Sequence, residues 1–175
     1  MRRIAIIGSG GAGKSTLART IGEILGLPVI HLDKEYWRPG WIETPEQDWK
    51  VKVEELISGD EWVMDGNFGG TMEFRLAAAE TVVFLDLPRG VCVRRVLKRL
   101  WTYYGRTRPD MSKGCNEKFD LEFFAWVWNF QKKKKPGIEA RLARLDKSKN
   151  IIRLSSTRDI DTFVESLRSQ RPGTN

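Results

Sequence analysis

The chain has few of the residues and segments that mark several common classes of protein. Its 175 residues include two cysteines and one histidine, and Cys92 and Cys115 show no metal-ligand spacing, which argues against a zinc module or a disulfide scaffold. Every apolar run is shorter than the roughly 18 residues of a membrane-spanning helix, and the N-terminus is unlike a signal peptide. Neither internal repeats nor low-complexity segments occur. We therefore expect a single cytoplasmic domain over residues 1–175, with reduced thiols and no membrane partner.

Basic residues are concentrated in one part of the chain. Residues 94–135 hold twelve Lys and Arg against four Asp and Glu, in a protein whose net charge is +7. The rest of the chain is therefore close to neutral. A local basic segment of this kind binds either the phosphates of a nucleotide or those of a nucleic acid, and composition leaves both alternatives open.

A glycine-rich octet near the N-terminus is the most informative motif. Residues 8–15 read Gly-Ser-Gly-Gly-Ala-Gly-Lys-Ser and fit G-x-x-x-x-G-K-[ST] at every fixed position. An apolar run at 4–7 precedes the octet and residues with helical periodicity follow it, which is the context that a phosphate-binding loop requires. We predict that the loop binds a nucleoside triphosphate and Mg²⁺ through Gly8, Ser9, Gly10, Gly11, Ala12, Gly13, Lys14, Ser15 and Thr16.

Strand-like and helix-like segments alternate along the chain, which predicts an α/β fold with a parallel sheet. We expect strands at 4–7, 29–32, 62–64, 81–85 and 151–154. Thr44 is predicted to cap a helix that ends near Ser58, and a long helix is predicted to bury a stripe formed by Val93, Val96, Leu97, Leu100 and Trp101. A further helix over 119–134 should end before Pro136. The last predicted helix contains Ile160 and Leu167, and residues 171–175 should fray.

Three aspartates follow predicted strands, at the edge of a parallel sheet where ligands bind. We predict that Asp65 lies on the magnesium side with Ser15, the alternative being a turn residue before Gly66. Asp33 should face the phosphate acceptor as a base or hydrogen-bond partner, or else cap a loop. Asp86 precedes a helix, and we expect it to cap that helix.

Four arginines are candidates for a closing lid. Arg95 and Arg99 share one helical face, and Arg106 and Arg108 follow on a loop that contains glycine. Cations that close over a transferring phosphoryl group stabilise its charge and exclude water, so we predict catalytic roles for Lys14, Arg99, Arg106 and Arg108. Each arginine alone is equally consistent with a solvated surface residue. The run 132–135 of four lysines is expected to be a solvated helix end.

Aromatic residues are assigned mainly to packing. Those between Phe123 and Phe130 should pack a helix against the body of the protein. Trp37 and Trp41 follow Asp33 and are candidates for contact with the acceptor. His31, inside a strand, is expected to be a packed core residue rather than a catalyst.

Further motifs follow the phosphate loop in order. They are Val-Met-Asp-Gly at 63–66, Phe-Leu-Asp-Leu-Pro at 84–88 and Arg-x-x-x-Arg at 95–99, and this order resembles the adenylate-kinase-like branch of P-loop kinases. A second set is similar to the bacterial DNA topology modulation proteins, a group related to adenylate kinase. That set is His-Leu-Asp at 31–33, Trp-Arg-Pro-Gly-Trp at 37–41, Asp-Gly-Asn-Phe-Gly-Gly-Thr at 65–71 and Gly-Arg-Thr-Arg-Pro-Asp-Met at 105–111. The resemblance covers residues 1 to about 165.

The resemblance implies the three-layer P-loop NTPase fold, with a five-stranded parallel sheet in the order 2-3-1-4-5, helices on both faces and a helical lid. It implies an acceptor-binding region near 33–60, a lid near 102–118, Arg95 near the adenine of ATP, and Arg99 on its phosphates.

One motif departs from this pattern. Adenylate kinases follow Asp-Gly with Phe-Pro-Arg, whose arginine holds the acceptor phosphate, whereas here residues 67–70 read Asn-Phe-Gly-Gly. The Gly-Gly turn is instead similar to shikimate- and gluconate-type kinases, and Arg75 or Arg38 is a candidate replacement.

Three functions are consistent with these observations. The first is an ATP- and Mg²⁺-dependent phosphotransferase that acts on a small molecule such as a nucleotide or nucleoside. The second is a nucleotide-regulated nucleic-acid-binding protein involved in DNA topology, with weak or no kinase activity. The third is a slow NTPase without an acceptor. The sequence leaves the acceptor and the oligomeric state open.

Overall fold

The computed structural model describes residues 1–169; the predicted frayed end at 171–175 lies outside the described residues. In chain order the strands are β1 Arg3–Gly8, β2 Val29–His31, β3 Trp37–Arg38, β4 Ile42–Glu43, β5 Trp62–Asp65, β6 Thr81–Leu85 and β7 Asn150–Leu154. The helices are α1 Lys14–Leu25, α2 Leu32–Tyr36, α3 Glu46–Ile57, α4 Met72–Ala78, α5 Arg89–Tyr103, α6 Leu121–Lys133, α7 Lys135–Ala143 and α8 Thr157–Ser169.

Five parallel strands form the central sheet, in the spatial order β2-β5-β1-β6-β7. If the strands of this sheet alone are counted along the chain, the order is 2-3-1-4-5, so the predicted α/β fold and strand order are confirmed. Ile4 pairs with Val63 and Ile6 with Val83, which puts β1 in the centre. The phosphate loop therefore leaves the sheet from its middle strand.

Alternation along β1 explains why helices cover both faces of the sheet. Ile4 and Ile6 pack into one hydrophobic cluster with residues of α1, α5 and α8, whereas Ala5 and Ile7 pack into the other with residues of α3 and α4. Successive side chains of a strand point to opposite faces, so a strand that is apolar at every position needs cover on both. All four side chains are buried.

Three short helices, α2, α4 and α7, were not predicted, and two details of the predicted helices were wrong. All three are under ten residues long, too short for a clear periodicity. Helix α6 ends at Lys133, before Pro136 as predicted, and Pro136 lies in the first turn of α7. Thr44 does not cap α3, because its hydroxyl donates to the Tyr36 carbonyl and Pro45 takes the N-cap position. In α5, Cys92 and Val96 are buried, whereas Leu97 and Trp101 are exposed.

Asp86 has a role other than the predicted cap. The N-cap position of α5 is Pro88, with no side-chain hydrogen bond, and Asp86 instead forms ion pairs with Lys135 and Arg153. Its carboxylate therefore ties the end of β6 to α7 and β7. Lys135 thereby differs from the other three lysines of the 132–135 run, which are exposed.

The segment between α5 and α6 has no helix of its own. Residues 104–120 form turns and two isolated bridges, Tyr104 with Glu117 and Thr107 with Asn116. Helices α5 and α6 flank this segment and pack against each other. Within residues 1–169, no helix combines the length and apolar character needed to cross a bilayer.

Candidate functional site

The phosphate-binding loop joins β1 to α1. Lys14 Nζ donates to the carbonyls of Gly8 and Ser9, each at 3.0 Å, so the side chain folds back over the loop. Burial lowers the pKa of Lys14, while the neighbouring carboxylates of Asp33 and Asp65 act to raise it. The ammonium group is therefore held at the loop by two backbone carbonyls, within the field of two acidic side chains.

Gly11 shows why this loop requires glycine. Its φ is 75°, and a Cβ there would lie 2.3 Å from the carbonyl oxygen of Cys92. Helix α5 thus packs directly against the loop backbone, which a side chain would prevent. The same helix supplies Arg95, whose guanidinium donates to Ala12 O at 3.1 Å and to Thr157 Oγ1 at 3.0 Å. Arg95 therefore lies beside the loop, and its contact with adenine stays a prediction.

A chain of three side chains lies at the carboxyl end of β5. Ser15 Oγ donates to Asp65 Oδ2 at 2.7 Å, and His31 Nδ1 is hydrogen-bonded to Asp65 Oδ1. Asp65 is buried and His31 is half-buried, so both carboxylate oxygens are held in fixed positions. Ser15 and Asp65, the two predicted metal ligands, are thus in direct contact.

Asn67 connects the same strand end to the phosphate loop. Its amide nitrogen donates to Gly8 O at 2.7 Å, and Gly8 N donates to Asn67 Oδ1 at 3.1 Å. The asparagine thereby satisfies both backbone groups of the residue at which β1 ends. This residue occupies part of the segment that departs from the adenylate kinase pattern.

Arg75 is buried beneath this segment and does not face a ligand. Its guanidinium donates to the carbonyls of Gly66 and Phe68 at 3.0 and 3.2 Å, and also to Asn67 O. The residue is 0% exposed, and burial lowers the pKa of Arg75 to about 10. Arg75 is a candidate for binding the acceptor in the sequence, but in the structure it holds the turn at 66–68 in place.

Asp33 lies in the first turn of α2, not at the end of a strand as expected. Burial raises the pKa of the Asp33 carboxyl, with Asp65 acting in the same direction and Lys14 and Arg108 opposing it. The charges of Lys14 in the phosphate loop and of Arg108 in the lid therefore both act on this carboxyl. A carboxyl with a raised pKa is a better proton acceptor than an ordinary aspartate.

Two of the four lid arginines converge on one buried acid. Glu117 pairs with Arg99 at 2.8 Å and with Arg108 at 2.8 Å, and Arg108 also pairs with Asp110 at 2.7 Å. Burial and the nearby Arg108 lower the pKa of Arg99, and Glu117 opposes them. Burial acts to raise the pKa of Asp110, but Arg108, Ser15 and His31 hold it below its usual range. Asp110 is therefore ion-paired within the lid, and Ser15 and His31 also act on its pKa.

The lid segment is docked onto the region that was expected to bind the acceptor. Ser112 Oγ donates to Lys34 O, Gly40 N donates to Gly114 O at 3.2 Å, and Trp41 Nε1 donates to Asn116 O at 3.0 Å. Together these bonds join residues 112–116 to α2 and the β3–β4 hairpin. The site is thus covered in this structure.

Other predicted residues lie outside this group. Thr16 and Arg106 have exposed side chains, and neither side chain has a polar partner among the described residues. Arg38 is exposed and pairs with Asp48 at 3.5 Å. Phe123 packs on the loop, because a Cβ added at Gly10 would lie 2.8 Å from its ring. The guanidinium carbon of Arg99 lies 5.1 Å from the centroid of the same ring.

A pocket of about 390 Å³ begins at Phe68, the residue after Asn67, which is hydrogen-bonded to the loop. It is lined by Tyr36, Trp49 and Phe68, by residues 43–46 and Lys50, and by residues 69–71. Phe68 directly follows Asn67, and Tyr36 is one helical turn from Asp33. The pocket therefore shares α2 with Asp33 and adjoins Asn67 in the chain.

Sequence reasoning missed four residues of this site: His31, Asn67, Asp110 and Glu117. His31 is expected to pack because it lies inside a predicted strand, and its partner Asp65 is 34 residues away in the chain. Glu117 had no local signal either, since the two arginines it joins lie on α5 and on the following loop. The one sign of Asn67 in the sequence is that residues 67–70 differ from the adenylate kinase pattern.

Comparison with solved structures finds kinases of small molecules. A shikimate kinase from Acinetobacter baumannii, in complex with shikimate, has a TM-score of 0.63 and 16% identity, covering 95% of this chain and 90% of that one. For a shikimate kinase from Bacteroides thetaiotaomicron the TM-score is 0.57, with 19% identity and 96% of each chain covered. An unliganded sugar kinase from a Janibacter species has a TM-score of 0.50 and 18% identity, covering 97% of this chain and 91% of that one.

The sequence comparisons find no such relatives. No protein-family model matches the chain, and no curated protein matches it. At identities below 20%, the structural similarity establishes the P-loop kinase fold and leaves the reaction to be argued from the site.

Proposed function

We propose that this protein is an ATP- and Mg²⁺-dependent phosphotransferase that transfers the γ-phosphoryl group of ATP to a hydroxyl group of a small molecule. One observation carries the proposal: Lys14 folds over the carbonyls of the phosphate loop, and the next residue, Ser15, is hydrogen-bonded to Asp65 at 2.7 Å. Asp33 is supplied by a third element, α2, and its charge and that of Asp65 act on the lysine. Phosphoryl transfer requires a cation at the phosphate, oxygen ligands for a metal ion, and a carboxylate toward the acceptor. These side chains supply the three components.

Ser15 and Asp65 suit a magnesium ion. Both offer oxygen, the ligand atom that Mg²⁺ prefers, and their oxygens lie 2.7 Å apart at the start of α1. An ion held there supplies positive charge to the phosphate oxygens of ATP. His31 holds the second oxygen of Asp65 and so fixes the direction of the carboxylate.

The proposed reaction is a direct transfer between two oxygens. The acceptor hydroxyl oxygen forms a bond to the γ-phosphorus, the bond from that phosphorus to the bridging oxygen breaks, and ADP leaves. Asp33 accepts the proton of the hydroxyl group and passes it to water. Lys14, together with Arg99 and Arg108 from the lid, offsets the negative charge on the phosphoryl oxygens during the transfer.

The basic surplus at 94–135 favours nucleic-acid binding as a second candidate function. The structure engages four of its twelve cations internally: Arg95 at the phosphate loop, Arg99 and Arg108 on Glu117, and Lys135 on Asp86. This reduces the charge that is available to a polymer. Binding through many phosphates would weaken steeply with rising salt, whereas turnover of a small substrate would not.

The test is an ATP-consumption assay at fixed Mg²⁺ with a panel of nucleotides, nucleosides and small hydroxylated metabolites. Lys14→Ala, which removes the cation of the loop, is the control. An acceptor that raises turnover well above the acceptor-free rate of the native protein, and not of the variant, supports the proposal. If no compound does so and DNA binds with a steep salt dependence, the phosphotransferase proposal is wrong and the second function is favoured.

A further inference from the structure

The pocket that begins at Phe68 has an aromatic floor. Tyr36 and Phe68 lie 4.7 Å apart between ring centroids, Trp49 and Phe68 5.0 Å, and Tyr36 and Trp49 5.1 Å. The three rings are tilted or edge-on to one another, so each contacts the other two. A floor of packed aromatic rings favours a ligand with a flat or weakly polar ring face.

The rim of the pocket has a surplus of negative charge. Glu43 and Tyr36 both line the pocket, and burial together with the Glu43 carboxylate raises the pKa of Tyr36. Glu46 pairs with Lys50 at 2.8 Å, which leaves Glu43 as the carboxylate without a compensating cation on the rim. This charge repels an anion and attracts a cation.

The cations that would hold an anionic acceptor are already engaged elsewhere. Arg75, directly beneath the 66–68 turn, is fully buried and donates to three backbone carbonyls. Arg38 pairs with Asp48 outside the pocket. Among the described residues that line the pocket, Lys50 is the one cation, and it is paired.

We propose that the pocket binds the acceptor of the phosphotransferase reaction, and that this acceptor is a hydroxylated ring compound that is neutral or cationic, without a phosphate or carboxylate group. The inference rests on the proposed function, since it names the class of substrate for the same reaction. In the charge of its acceptor, this protein would then differ from kinases that bind an acid or a phosphomonoester through an arginine.

Three ring sugars of matched size and different charge test the proposal: D-glucosamine, D-glucose and D-glucuronate. Binding to the purified full-length protein is measured by ligand-observed NMR, and ATP turnover is measured separately with each sugar. We expect glucosamine and glucose to bind, and glucuronate to bind at least about tenfold more weakly, because like charges repel at the rim. In the Glu43→Gln variant, the preference for glucosamine over glucuronate should fall about threefold, as for an exposed charge pair.

Glu54→Gln is the matched control, because Glu54 is an exposed carboxylate on α3 outside the pocket lining. It should leave the preference unchanged. Glucuronate binding as tightly as glucosamine, or the absence of binding by both glucosamine and glucose, overturns the inference. Turnover with glucuronate would leave the phosphotransferase proposal intact and refute only the charge class. Binding of the neutral and cationic sugars, with no turnover for any acceptor in the wider panel, would refute the phosphotransferase proposal instead.

Discussion

Asn67 and Gly8 are joined by two hydrogen bonds of opposite direction, one from the side-chain amide to the Gly8 carbonyl and one from the Gly8 amide to the side-chain oxygen. The pair connects the end of β5 to the point at which β1 becomes the phosphate loop. The position of the loop relative to Asp65 therefore depends on one side chain that lies 59 residues away in the chain.

Asn67→Ala should weaken both folding and nucleotide binding. The variant removes the side-chain partner of the partly buried Gly8 N–H and one of the two donors to the Gly8 carbonyl, which keeps its bond from Lys14. This loss costs about 1–3 kcal/mol of unfolding free energy. Urea denaturation measures the loss, and ATP titration by calorimetry measures the affinity. Asn129→Ala removes an amide that bonds only within its own helix, and it should change neither quantity by more than about 0.5 kcal/mol.

His31→Phe should raise the Mg²⁺ concentration required for half-maximal turnover by about tenfold or more, because the carboxylate of Asp65 loses the group that orients it. His31→Asn keeps an N–H donor near the position of Nδ1 and should restore most of the native Mg²⁺ dependence. ATP affinity in the presence of EDTA should be the same in both variants. An equal Mg²⁺ dependence for phenylalanine and asparagine would contradict a positioning role.

Asp33→Asn should stabilise the protein at neutral pH and abolish its activity. The pKa of Asp33 is raised in the folded state, so the folded protein keeps this proton at pH values where the unfolded chain has lost it. Stability from this group therefore falls as pH rises from the ordinary value of 3.8 through the raised pKa, and the asparagine variant lacks that decline.

Turnover in the native protein should rise over the same pH range, since the base acts in its ionised form. The loss of activity in Asp33→Asn should be at least about 100-fold. Thermal melts across a pH series, together with turnover at each pH, measure both effects. If Asp33→Asn is less stable than the native protein at neutral pH, ionised Asp33 is well solvated or firmly paired, and the prediction is wrong.

Arg99→Ala should lower the turnover rate by about 100-fold with a modest change in ATP affinity, because its guanidinium acts mainly on charge that develops during transfer. Arg94→Ala, an exposed residue on the same helix, is the matched control and should behave as the native protein. Steady-state kinetics with varied ATP separates the two parameters. An unchanged rate in Arg99→Ala would remove the lid from the proposed mechanism.

Gly114→Ala should disturb the docking of the lid. Gly114 has a φ of 84°, and an added Cβ would lie 3.2 Å from Pro39 Cβ across the lid contact. Gly105→Ala imposes similar backbone strain at a φ of 71° without any atom within 4 Å, so the difference between the two variants isolates the contact. We expect a lower turnover rate and faster proteolysis at 104–118 in Gly114→Ala than in Gly105→Ala. Equal behaviour would mean that strain alone is responsible.

The sequence by itself determined most of the sheet and the phosphate loop, because those signals are local. Apolar runs such as 81–85 predict buried parallel strands. In the octet at 8–15, the glycines predict the conformation of the loop, and Lys14 and Ser15 predict the ligand that it binds. Short helices such as α4 gave no comparable pattern, since seven residues span only two turns.

Only the tertiary structure decided which side chains meet. Arg75 looks like a candidate ligand in the sequence and is a buried support for a turn, whereas His31 looks like a core residue and orients Asp65. Glu117 joins two arginines from different segments. These contacts join groups that are far apart in the chain, and they depend on the burial, direction and distance of each group. Local sequence patterns carry no information about these quantities, because only the assembled sheet brings the elements together.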